Sequence, residues 1–106
     1  VKMYQRSADS FLGLPFNIAS TSLLLTIIAK LCDLVPDEVT ITLGDCHIYE
    51  CHVDAVKKQL YRDPLELPKL NIPDFKTLEE VENSLFEDYK ILEYNHQGGI
   101  KAEMVA

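Results

Sequence analysis

Clustered basic residues are missing from this chain: ten lysines and arginines are scattered along 106 residues against 17 acidic side chains, for a net charge of −7. Phosphate backbones are gripped by grouped cations, so this balance excludes a nucleic-acid footprint. The acidity itself reads as solubility. There are three cysteines, Cys32, Cys46 and Cys51, and their spacing builds no disulfide framework. No secretory signal and no apolar run of about 20 residues is visible, so a reducing cytoplasm without a membrane partner is the expected setting. Repeats, linkers and low-complexity tracts are also missing. What remains is the length of one domain, with 47% hydrophobic and 25% charged residues, an ordinary globular composition able to close a core.

The apolar pattern changes period along the chain. Val1 to Ser7 alternates as a strand until Leu12-Gly13-Leu14-Pro15 breaks it. From Phe16 to Leu34, Ile18, Leu24, Leu25, Ile28 and Leu31 recur at helical spacing, and Leu23 with Ile27 widens the stripe. That width predicts a largely buried helix, with Cys32 near its end as a core residue. Val39, Ile41 and Leu43 alternate with Thr40 and Thr42, predicting a strand that runs to Tyr49. Val53, Val56 and Leu60 stripe a short helix, Leu67 to Ile72 reads as a strand, and Thr77 with Glu80 forms a capping box before another short helix. Phe86 to Tyr94 reads as a last strand. The alternation of helices and strands predicts an α/β or α+β architecture, a mixed sheet with one long buried helix and shorter flanking ones.

Two segments concentrate polar chemistry. The first, Tyr4 to Asn17, reads YQRSADSFLGLPFN; the second is Gly44-Asp45-Cys46-His47-Ile48-Tyr49. Arg6 beside Ser7 offers a planar fork of donors and a hydroxyl, a combination suited to a phosphate monoester. Taken alone, such a pair is more often a surface ion pair or a turn. Asn17 at the foot of a helix is, by itself, more often an N-cap. His47 and Tyr49 stand two apart on a predicted strand and so share a face, which on its own could be an ordinary polar surface. Asp45 fits a role in shaping the backbone. Cys46-His47 and Cys51-His52 repeat a possible metal pair, but neighbours on a strand point opposite ways and the spacing fits no structural zinc pattern, so no metal is expected.

Both segments, and the chain between and beyond them, resemble the C-terminal part of a thymidylate synthase subunit. The resemblance implies that Arg6, Ser7, Ala8, Asp9, Asn17, His47 and Tyr49 contact deoxyuridylate, with Arg6 and Ser7 on its phosphate and His47 and Tyr49 on the 3′-hydroxyl of its sugar. It implies that Asp9, Leu12, Gly13 and Val105 contact the co-substrate methylenetetrahydrofolate: Asp9 at the donor edge of the pterin ring, Leu12 and Gly13 along its face, and Val105 in a tail that folds over it. Asn17 fits a uracil, whose ring presents an N–H beside a carbonyl; an amide supplies the matching acceptor and donor, whereas a carboxyl group would suit cytosine better.

The family's nucleophilic cysteine lies in a Pro-Pro-Cys-His segment upstream of the first motif, and residues 1–106 contain none. None of the three cysteines is assigned that role, so no catalytic residue is expected in this chain, and its own enzymatic activity stays open, with inactivity in isolation the expectation. An N-terminal part and a homodimer partner are the expected protein partners. The sequence departs from the family pattern at Cys46, at Asn95-His96-Gln97-Gly98-Gly99 and at its ending Met104-Val105-Ala106. Two further readings accompany the leading one: a deoxyuridylate hydroxymethylase, which would quench the one-carbon intermediate with water, and a non-catalytic docking module.

Overall fold

The computed structural model describes residues 1–105. Strand β1 (Lys2–Asp9) pairs in parallel with β2 (Thr40–His47), at a register that sets Gln5 opposite Leu43, Ser7 opposite Asp45 and Asp9 opposite His47. Parallel neighbours require a crossover, and helix α1 (Leu14–Leu31) provides it. After a 3₁₀ turn at Glu50–His52 comes α2 (Val53–Leu60). Strands β3 (Lys69–Asn71) and β4 (Lys90–Leu92) form a separate antiparallel pair, with α3 (Leu78–Glu82) and a second 3₁₀ turn between them. The expected mixed sheet is thus two two-stranded sheets, one of each kind.

Helix α1 forms with Pro15 in its first turn and keeps its many hydroxyl residues by bonding them inward. Thr21 donates to the Asn17 carbonyl at 2.7 Å, Ser22 to the Ile18 carbonyl at 2.8 Å and Thr26 to the Ser22 carbonyl at 2.8 Å, so each hydroxyl is satisfied by the turn before it. The helix stops where Asp33 turns left-handed (φ 54°), and the Leu34 amide reaches back to the Ala29 carbonyl at 2.7 Å.

The expectation of a largely buried helix is corrected. Only Thr21 and Ala29 are buried; Phe16 is 76% exposed and Leu24 52%, because a two-stranded sheet covers one stripe of a helix that is apolar around most of its girth. Cys32, expected in the core, is exposed at the helix end. By length and composition α1 could cross a membrane, with 18 residues at mean hydropathy 1.5. Its position argues otherwise: it is spliced between two paired strands and holds β1 through Gln5–Asn17 and Thr21–Met3 contacts.

Several boundaries also move: β1 runs Lys2–Asp9, α1 runs Leu14–Leu31, and Leu67 to Ile72 is strand only at Lys69–Asn71. β2 ends at His47, and Tyr49 is extended but outside the sheet. The run from Phe86 to Tyr94 is strand only at Lys90–Leu92, since the Asp88 carboxylate accepts the Leu85 amide at 2.9 Å and winds the preceding residues into a 3₁₀ turn. The second sheet is tied to α1 by Lys30, whose ammonium lies 3.2 Å from Asp74 and 3.4 Å from the Ile72 carbonyl, beside buried Ile72 and Phe75.

Gly44 is required by a close approach of the two parallel strands: a Cβ there would stand 2.6 Å from the Arg6 carbonyl oxygen. Gly44→Ala should therefore push β2 off β1 and lower stability by about 1–3 kcal/mol, read by chemical denaturation. Wild-type stability in that variant would contradict the packing described.

The capping box on α3 gives an acid-sensitive end. The Glu80 carboxylate accepts the amides of Lys76 at 2.6 Å and Thr77 at 3.0 Å, and these two bonds, Lys76 first, lower its pKa. A lowered folded-state pKa stabilises above the usual carboxylate range and is lost as pH falls through the lowered value. The protection factors of the α3 amides, corrected for intrinsic exchange, should fall as pH drops through the lowered Glu80 value, whereas Thr77→Ala, at a local cost of about 1 kcal/mol, should lower them at neutral pH too.

Candidate functional site

The polar cluster forms where β1 hands over to α1. Asp9 ends the strand, and its Oδ1 accepts the amides of Phe11 at 3.0 Å and Leu12 at 3.2 Å, folding the chain back on itself. Its carbonyl accepts the Gly13 amide at 3.1 Å, and the Gly13 carbonyl accepts that of Asn17. Gly13 is the residue that caps α1, and a Cβ on it would press the Asp9 carbonyl at 3.2 Å. Asn17 therefore sits inside the first turn of the helix and is not its cap.

The orientation of the Asn17 amide follows from its neighbours. The Ser7 carbonyl can only accept, so the Gln5 atom 2.9 Å from it is the amide nitrogen. The same nitrogen lies 2.9 Å from the Asn17 side chain, which must present its oxygen in turn. Asn17 Nδ2 is thereby turned away from Gln5, while Oδ1 keeps a second lone pair. Gln5 Oε1 is buried with no partner among the described residues. Gln5 was legible in the sequence only as part of the motif; its part in fixing Asn17 needs the strand and the helix side by side.

The second segment arrives through the β1–β2 register. His47 lies opposite Asp9, and its Nδ1 is 3.4 Å from Asp45 Oδ1, ion-pair range without hydrogen-bond geometry. Although Tyr49 is outside the strand, its ring meets that of His47 edge-on at 5.0 Å. The other side of Tyr49 meets His52 at 5.6 Å, and His52 also faces Phe11 at 5.5 Å. Backbone bonds thus link Asn17 to Gly13 and Gly13 to Asp9, the strand register sets Asp9 opposite His47, and ring contact joins His47 to Tyr49.

The remaining candidates do not all join this cluster, and Arg6 alternates onto the face of β1 opposite Gln5, Ser7 and Asp9. Burial alternates along β1, so Arg6 is exposed on the side of Tyr4, and its guanidinium has no ion pair or side-chain hydrogen bond among the described residues. Ser7 is half-buried; Ala8 is 2% exposed and packs opposite Cys46. Leu12 lines an open groove of about 760 Å³ with Phe11, Phe16, Arg62 and Tyr94. Val105 is exposed near the end of the described chain. Cys46 is exposed and meets Ser10 at 3.1 Å, and among the described residues no group of three or more His, Cys, Asp or Glu side chains is arranged for a metal ion. His52, read in the sequence only as half of a Cys-His pair, is the fully buried polar residue of the site.

Comparison with known proteins gives this geometry a family. The family model described as thymidylate synthase matches residues 1–106. The thymidylate synthase of Mycoplasma pneumoniae is 44% identical over 103 residues, covering 97% of this chain and 35% of that protein. That of Francisella philomiragia is 47% identical over 100 residues, covering 94% and 36%, and that of Buchnera aphidicola 47% over 103 residues, covering 97% and 38%. The chain spans little more than a third of the length of these relatives. With the whole of its length matched, the chain belongs to the thymidylate synthase family.

Proposed function

We propose that residues 1–106 are the deoxyuridylate- and folate-binding portion of a thymidylate synthase, which converts deoxyuridylate to thymidylate. The observation that carries this reading is the Ser7–Gln5–Asn17 chain of hydrogen bonds beside the Asp9–His47 register. A uracil needs one acceptor for its N–H and one donor for the adjacent carbonyl. Asn17 offers both from one rigid amide, since Gln5 prevents the flip that would exchange them. Preorganised groups of this kind reject the wrong base because it would leave buried polar atoms unpaired.

In this reading His47 and Tyr49, whose rings meet edge-on, exchange hydrogen bonds with the sugar hydroxyl. Arg6 is an unpaired cation suited to a phosphate, although strand alternation sets it on the face of β1 opposite Ser7 and Gln5, so a shared phosphate must be reached around the strand edge. On the folate side, Asp9 has one oxygen committed to the Phe11 and Leu12 amides, which holds the carboxylate still while the other oxygen accepts from a donor edge. Leu12 and Phe16 give the neighbouring groove an apolar wall for an aromatic ring. When bound, methylenetetrahydrofolate supplies the one-carbon unit and the hydride. The thiolate that attacks C6 of the uracil belongs to a segment outside residues 1–106. The contribution of this chain is positioning, the entropic part of the catalysis.

Asn17→Asp in the intact protein should reverse base preference: by calorimetry, deoxyuridylate affinity falls about 100-fold while deoxycytidylate binding appears. Gln5→Leu, which frees the amide to flip, should lower deoxyuridylate affinity about tenfold and narrow the gap between the two bases. Unchanged preference in Asn17→Asp would refute the base-reading role.

A further inference from the structure

Strand β2 carries Asp45 and His47 two residues apart, on the face that the register also gives to Ser7 and Asp9. His47 Nδ1 is buried and makes no hydrogen bond among the described residues, and the oxygen it approaches, at 3.4 Å, is Asp45 Oδ1. Among those residues no other carboxylate lies in ion-pair range of the ring. Asp9, across the register, has its Oδ1 committed to the Phe11 and Leu12 amides.

A neutral imidazole carries its proton on one nitrogen and a lone pair on the other, and what each nitrogen faces decides which is which. A lone pair on Nδ1 would set acceptor against acceptor, at an atom closed to the water that could reconcile them. A proton there meets a negative charge. At 3.4 Å the pair lacks hydrogen-bond alignment, so the carboxylate acts through its charge on the N–H dipole. Solvent around the Asp45 side chain, which is 75% exposed, weakens this attraction without reversing its sign. A carboxylate beside Nδ1 holds the tautomer of a catalytic-triad histidine in the same way.

We infer that Asp45 is a positioning residue that holds His47 as the Nδ1–H tautomer, leaving Nε2 as a bare acceptor beside the Tyr49 ring. The consequence for the ligand rests on the function proposed above: the 3′-hydroxyl donates to His47 Nε2 and accepts from the Tyr49 phenol. A 3′ substituent that can only accept leaves Nε2 unpaired. The pair therefore selects a free 3′-hydroxyl by the direction of its hydrogen bonds as well as by its size.

Nitrogen-15 spectra of the His47 ring in the intact, ligand-free protein test the assignment, taken at the alkaline plateau of the ring's titration. Wild type should show the proton on Nδ1. Asp45→Ala, which removes the charge from an exposed position, should move it toward Nε2. A proton on Nε2 in wild type, or a pattern unchanged in Asp45→Ala, would overturn the proposal, and the first of these needs no variant to fold. Calorimetry reads the consequence separately. Replacing the 3′-hydroxyl of deoxyuridylate by fluorine, which can only accept, should lower affinity about tenfold in wild type and by less in Asp45→Ala, where Nε2 can donate. An equal loss in both would overturn the direction assigned to the hydroxyl. Failure of either nucleotide to bind would refute the proposed function and that direction with it, while the ring spectra still decide the tautomer.

Discussion

Parallel pairing of β1 with β2, at a register that places Asp9 beside His47, obliges the chain between them to return along the sheet, and α1 is that return. From this one constraint the site follows. The end of β1 and the start of α1 become neighbours, which brings Gln5 within 2.9 Å of Asn17, and the end of β2 sets His47 opposite Asp9 with Tyr49 against its ring. The two strands approach so closely at Gly44 that no side chain fits against the Arg6 carbonyl. The sheet is small, and its geometry is correspondingly exacting.

On the proposed reading, base selectivity would reside in the direction of one amide. Nothing in Asn17 itself decides which end of its side chain faces a base; the Ser7 carbonyl decides it, through Gln5. A backbone acceptor cannot change its chemistry, so the orientation is inherited from the strand and does not depend on the ligand. A carboxylate acts alike at His47, where Asp45 directs the ring proton to Nδ1.

Much of this was written in local residue patterns. Periodicity located α1 and α2, Thr77 with Glu80 announced the cap of α3, and the long motif around Arg6 and Asn17 carried the family. What local pattern could not carry was anything set by partners distant in the chain. The helix stripe from Ile18 to Leu31 is apolar enough to be buried, yet the described residues bury only Thr21 and Ala29 of it, since burial depends on what lies against a helix and periodicity reports only which face is greasy. Phe86 to Tyr94 has strand composition, but a carboxylate at Asp88 outcompetes the ladder over its first half. Gln5 and His52 gave no signal beyond their residue type, because each is placed by a distant contact, Gln5 with Asn17 across 12 positions and His52 with the Glu103 carbonyl across 51.

The central claim is that Gln5, Asn17, His47 and Tyr49 are walls of one pyrimidine-nucleotide pocket, and nuclear magnetic resonance tests it most directly. On titrating deoxyuridylate into the protein, the account predicts concerted changes in the side-chain amides of Asn17 and Gln5 and in the rings of His47 and Tyr49, all with one dissociation constant. Saturable nucleotide binding that leaves the Asn17 amide and the His47 ring undisturbed would contradict it.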